Sequence, residues 1–196
     1  MAAQFSGEPK TIWLTEGGAD RRMKLVEDFW FDDRTGTRWH AKQGSVVDGA
    51  SIPRALWVLV GSPYTGEYRR ASIVHDIACV EAEGDDAARK RADKMFYQAC
   101  RAGGCNWWDA TILYIGVRIG AWYGGGLVEE PEGPKLRRTS LDEQLERDFQ
   151  MVSQIVLSKG ETDDPEEIEA RTDEAAAKVA KMNLMAFESG AALAAA

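Results

Sequence analysis

Only two histidines occur in this 196-residue chain, His40 and His75, and the second is followed directly by a carboxylate, Asp76. The pair sits in an otherwise apolar run from Ala71 to Cys79, and a further acid, Asp93, follows 18 positions after His75. An imidazole is the side chain whose ordinary pKa lies nearest neutrality, so a carboxylate on one ring nitrogen would fix the tautomer and orientation of a general base. Asp93 is the candidate for that role, with His75 as the base. Asp76 projects about 100° around a helix from His75 and so looks toward a different ligand. With Asp48 it would supply the oxygen-rich part of a divalent cation site, calcium being the expected ion. Ser51 completes the constellation in Asp48-Gly49-Ala50-Ser51-Ile52-Pro53.

These residues need an antiparallel helix pair to meet. A helix from Tyr68 to about Ala82 ends at Gly84, and Asp85 or Asp86 caps a second from Ala87 to about Ala102, closed by Gly103-Gly104. Joined by so short a loop, the two run antiparallel, and His75 can face Asp93. Asn106 caps a third helix running to Tyr123, on which Ile112, Ile115, Ile119 and Trp122 share a face and Gly116 and Gly120 admit a close neighbour. Upstream, Thr11–Thr15, Met23–Phe31 and Thr37–His40 are rich in aromatic and β-branched residues and are separated by turn compositions, which predicts a small antiparallel meander. Pro53 suits the first turn of a short helix ending at Gly61. The expected fold is α+β: a small N-terminal antiparallel β meander packed on a three-helix core, with a C-terminal helical extension.

The extension follows a hinge. Residues 1–128 form the expected core domain, 129–139 a Gly/Pro/Glu-rich linker, and 140–196 an acidic amphipathic helical part. In it Leu141, Leu145, Phe149, Val152 and Val156 trace one side of a helix, while Ile168, Ala175, Val179, Met182 and Met185 trace a thinner stripe on the next. The acidic excess lies wholly beyond residue 128: residues 1–128 carry 16 basic and 16 acidic side chains, residues 129–196 carry 8 and 16, and the net charge is −8. A neutral body with an acidic arm lacks the basic stripe that phosphate neutralisation needs, so no nucleic-acid partner is expected. The arm is instead expected to dock on its own body or on a protein partner.

No apolar stretch approaches the roughly 20 residues of a membrane span, and residues 1–10 lack the pattern of a secretory signal. A soluble protein made in the cytoplasm of a bacterium or phage-infected cell is expected. The three cysteines, Cys79, Cys100 and Cys105, leave an odd thiol however they are joined, which suits a reducing compartment. Peripheral membrane contact through tryptophans such as Trp107-Trp108 is conceivable on composition.

The ordered set Asp48, Ala50, Ser51, Pro53, Trp57, Ala71, His75, Asp76, Ala92, Asp93, Phe96, Tyr114, Val117, Arg118 and Gly120 resembles the bacterial and phage family known as domain of unknown function 1353, over about residues 10–124. That resemblance implies a phage, prophage or bacterial setting, including delivery or virion association, and supplies no reaction. The His-Asp pair with a later Asp before Phe96 is also similar to prokaryotic phospholipases A2. There the histidine activates water, its neighbour binds calcium and the later aspartate steadies the ring; His75, Asp76 and Asp93 match those positions. Cys79 stands where both families favour tyrosine.

Plainer readings stand beside these. His75 can be a hydrogen-bonded core residue, with Asp76 and Asp93 paired to Arg69, Arg70 or Arg118 in a buried polar network. Cys79, one turn after His75, can touch it. His40 falls in a strand-like segment, which disfavours a His…His-Asp…Asp phosphohydrolase. Two functional expectations follow: a small metal-assisted hydrolase directed at a lipid or ester, or a non-enzymatic phage-related or secretion-apparatus component whose acidic helical tail docks on a partner.

Overall fold

The computed structural model describes residues 2–15, 22–49, 52–60, 66–123 and 140–194. Its N-terminal part is antiparallel β structure, but arranged as two three-stranded sheets. In one, β4 (Phe29–Asp32) lies between β1 (Gln4–Phe5) and β5 (Arg38–Ala41); in the other, β3 (Met23–Leu25) lies between β2 (Thr11–Trp13) and β6 (Val46–Val47). The single run expected over Met23–Phe31 is therefore cut in two. The cut falls where Asp28 accepts the Gln43 backbone N–H at 2.7 Å and the Gln43 side chain donates to the Val26 carbonyl at 2.9 Å, so side chains replace the ladder there. Beyond it Phe29 and Phe31 point inward and are fully buried, as period-two alternation requires.

A turn of 3-10 helix at Arg54–Leu56 leads into α1 (Trp57–Val60). Then come α2 (Arg69–Glu81), α3 (Asp86–Gly103) and α4 (Trp107–Trp122), close to the bounds the sequence predicts. Asp85 caps α3 by accepting the N–H groups of Ala87 and Ala88, both at 2.9 Å, and Asn106 caps α4 by accepting that of Asp109 at 2.9 Å. α2 packs between the β4–β5 face and α3, so Ala71 through Asp76 are all buried.

α5 (Ser140–Leu157) and α6 (Pro165–Ala194) form a helical hairpin. Leu145, Phe149, Val152 and Val156 of α5, with Ile168, Ala175 and Val179 of α6, join the same hydrophobic core as α2–α4. The apolar stripes are shorter than expected. Leu141, Met182, Met185 and, on α4, Trp122 are all exposed, because the contact surfaces end before reaching them. No described helix is long and apolar enough to cross a membrane.

Two glycines show how tightly the body is closed. A Cβ on Gly103 would stand 2.6 Å from the Glu67 carbonyl oxygen, whereas one on Gly116 would meet only Ile52 methyl groups at 3.5 Å, an ordinary contact. Gly103→Ala is expected to destabilise the fold by about 1–3 kcal/mol in urea unfolding. Gly116→Ala, which gains helix propensity, should leave the midpoint unchanged or raise it.

Candidate functional site

His75 and Asp93 do meet across the α2–α3 pair, with Nε2 2.8 Å from Asp93 Oδ1. The same carboxylate accepts from Arg89 Nε at 3.1 Å on its Oδ1 and from Arg118 of α4 at 2.9 Å on its Oδ2. Arg89 is one helical turn before Asp93, so α3 supplies both partners, while Arg118 reaches in from the neighbouring helix. Arg118 also lies 3.7 Å from Asp173 of α6, which in turn accepts from Lys90 at 2.6 Å. Three helices thus converge on one carboxylate, and α6 joins the network through Arg118 and Lys90.

The imidazole is sealed. Its exposure is 0%, Phe96 lies against the ring at 4.6 Å between centroids, and Cys79 Sγ is 3.4 Å from Nε2 and 3.7 Å from Nδ1. Burial alone would lower the ring's pKa; attraction to the Cys79 sulfur and hydrogen bonding to Asp93 outweigh it and push it up to about 10. Burial would likewise raise Asp93, yet the hydrogen bond and charge of His75, then Arg89 and Arg118, hold it below the ordinary carboxylate range. In this conformation the ring has no edge to water, and its Nε2 is engaged by Asp93.

Asp76 faces the loop after β6. Its Oδ2 accepts the Gly49 N–H at 2.9 Å, and the Asp48 backbone N–H also donates to it. Burial, reinforced by the nearby Asp48 charge, lifts its pKa to about 7 against the pull of His75 and those N–H groups. Asp48 itself is exposed. The two acids expected to share a cation are therefore neighbours, whereas Ser51 lies outside the described residues. His40 is remote in role, sitting on β5 beside Asp28 at 3.2 Å.

His75, Cys79 and Asp93 offer ligand atoms within 4.8 Å of one another. The chemistry of that set is unsuited to a cation, because Asp93 already receives three positively charged donors and a dication would be set against Arg89 and Arg118.

Residues 23–117 match the family model described as "Protein of unknown function (DUF1353)". Over this segment, just under half of the chain, the sequence is similar to that family. Within it lie Asp48, Ser51, His75, Asp76 and Asp93, while Arg118 falls one residue past the match. Two proteins of Sinorhizobium fredii are similar to the chain. "Uncharacterized protein y4jT" is 39% identical over 95 residues, covering 48% of this chain and 27% of that protein. "Uncharacterized protein y4iH" is 34% identical over 107 residues, covering 53% of this chain and 43% of that protein. The chain thus spans less than half the length of either relative. No solved structure matches.

The sequence reading foresaw the His75–Asp93 contact, Arg118 as a network partner and the touch of Cys79. It did not weigh Arg89, whose place one turn before Asp93 was a usable signal. The ring has no edge to water and sits as the hydrogen-bonded core residue of the plainer reading.

Removing the central charge should be costly. Asp93→Asn is expected to lose about 3–5 kcal/mol in urea unfolding, since His75, Arg89 and Arg118 would be left unbalanced. The pH dependence follows from the raised pKa values. His75 contributes stability in full below its ordinary 6.5, and that contribution is lost as pH rises to about 10. Asp76, also raised, loses stability between pH 3.8 and about 7. The urea midpoint should fall across both windows as pH rises. Asp76→Asn should flatten the lower window and leave the upper one.

Proposed function

We propose that the chain is a non-enzymatic assembly component, phage-related or belonging to a secretion apparatus, whose helical hairpin docks on a protein partner. The observation that supports this reading is the apolar row near the end of α6: Met182, Leu184, Met185 and Phe187 are all exposed, Phe187 to 75%. Isolated surface hydrophobics are ordinary, but four exposed within six residues, Met182 and Met185 on one side of the helix and Leu184 and Phe187 on the other, make the end of α6 apolar around much of its girth, which suits a partner that wraps it. Methionine side chains adapt their shape to a partner, which suits such a surface. The acid-rich arm calls for a partner that sets its own apolar side chains among Lys and Arg. The buried ion network then serves to lock the body that carries the hairpin.

The alternative, a small lipid- or ester-directed hydrolase with His75 as base, draws its support from a different observation, the closeness of Asp48 to the raised carboxylate of Asp76. A calcium ion shared by these acids and loop carbonyls would relieve that repulsion. This reading requires the site to open before His75 meets water. A calcium titration followed by thermal melting separates the two: saturable stabilisation that Asp76→Asn abolishes supports the cation site, and indifference to calcium removes it.

The docking reading is tested with Met185→Glu/Phe187→Glu, changes at exposed positions on opposite sides of the helix end that should leave the melting temperature within about 2–4 °C of the parent. Co-expressed with the products of the genes flanking its own, the parent should co-elute with one of them in size-exclusion chromatography, and the variant should not. Equal co-elution of both, or of neither, overturns the assignment of this face.

A further inference from the structure

Cys100 and Cys105 straddle the α3–α4 turn, and the turn draws them together. α3 ends at Gly103, Gly104 takes a left-handed φ of 112°, and the Cys105 N–H donates to the Cys100 carbonyl at 3.1 Å. This is the six-to-one hydrogen bond of a Schellman helix stop, which folds the chain back over the last helical turn. The stop is held from outside by Arg101, which donates to the Cys105 carbonyl at 2.8 Å, and by Glu67, whose carbonyl oxygen fills the space beside Gly103. Both thiols are free, and the backbone bond between their residues holds them on the same short turn.

Their surroundings differ. Cys100 is wholly buried, whereas Cys105 lines a groove of about 940 Å³ bounded by α1, α4, α5 and the residues before α2, with Tyr68, Trp108, Leu113 and Phe149 among its walls. The hydrogen bond from Cys100 lowers the pKa of Cys105, against its partial burial and the charges of Glu67 and Asp109, while burial raises that of Cys100. One thiol therefore borders the groove, with 5% of its residue exposed, and is eased toward thiolate, while its neighbour is fully buried behind it on the same turn.

We propose that Cys105 is an oxidation site for hydroperoxides entering the groove, with Cys100 as the resolving thiol that closes a reversible disulfide across the α3–α4 turn. In the first step the Cys105 thiolate attacks one peroxide oxygen, the O–O bond breaks, and the leaving hydroxide takes the proton originally shed by Cys105, giving a sulfenic acid and water. In the second step Cys100 attacks the sulfenic sulfur; the S–O bond breaks, the S–S bond forms, and the departing hydroxide takes the Cys100 proton as a second water. Two thiols are oxidised and one hydroperoxide is reduced. Cys79, against His75 in the core and away from this groove, takes no part.

Trypsin offers a direct readout, because cleavage after Lys94, Arg101 and Arg118 puts the two cysteines on separate peptides, 95–101 and 102–118. After the full chain is treated with hydrogen peroxide and its remaining thiols are alkylated, these two peptides should appear as one bridged species that reductant separates, with Cys79 alkylated throughout. Cys100→Ser should stop the reaction at a Cys105 sulfenic acid that dimedone captures, and Cys105→Ser should leave Cys100 alkylated. A parent chain in which both peptides stay unbridged, in which Cys79 is oxidised before Cys105, or in which Cys105 passes to sulfinic acid without bridging, overturns the proposal. The parent digest decides this whether or not the serine variants fold.

Discussion

One carboxylate, that of Asp93, is the point about which the helical body is arranged. Its exposure is 0%, and a bare charge so placed would be prohibitively expensive to desolvate. It is tolerated because His75, Arg89 and Arg118 surround it with donors from α2, α3 and α4. The surplus of positive charge is met in turn by Asp173 on α6 near Arg118. The arrangement specifies which helices must be neighbours and in what register, a service that hydrophobic contact alone performs less exactly.

That same arrangement changes what a His–Asp pair means. In a catalytic pair the imidazole keeps one nitrogen free toward solvent and stays near neutrality. Here Phe96 and Cys79 cover the ring and the proton is retained well above neutral pH. The more labile acid is Asp76, which looks to the loop at Asp48–Gly49 and would change charge near neutrality. Chemistry responsive to ions or pH is thus better sought at this loop than at the histidine.

Much of this was legible in the sequence. The caps at Asp85 and Asn106 and the helix stop at Gly103-Gly104 fixed the α2–α3–α4 succession, and an 18-residue separation across a short turn was enough to bring His75 to Asp93. The sequence left both a buried and a catalytic His75 open, because the choice depends on Phe96 from α3 and on a β layer laid over α2, contacts between segments that no local pattern encodes. The two sheets were read as one meander because strands of two to four residues leave too short an alternation to show where Asp28 and Gln43 interrupt it. Cys100 and Cys105 counted in the sequence only as two of three thiols suited to a reducing compartment; their i, i+5 placement gained meaning once the backbone closed on itself there.

The first half of α6 is fastened to α3 by Lys90–Asp173 and by Lys94, which donates to Glu166 at 2.7 Å and to Glu169 at 2.8 Å, while its last turns carry the open apolar row. The helix is in effect a lever with an anchored root and a free tip. A pull applied at Phe187 would be carried along a single hydrogen-bonded rod to Asp173, beside Arg118, where the rest of the body is pinned.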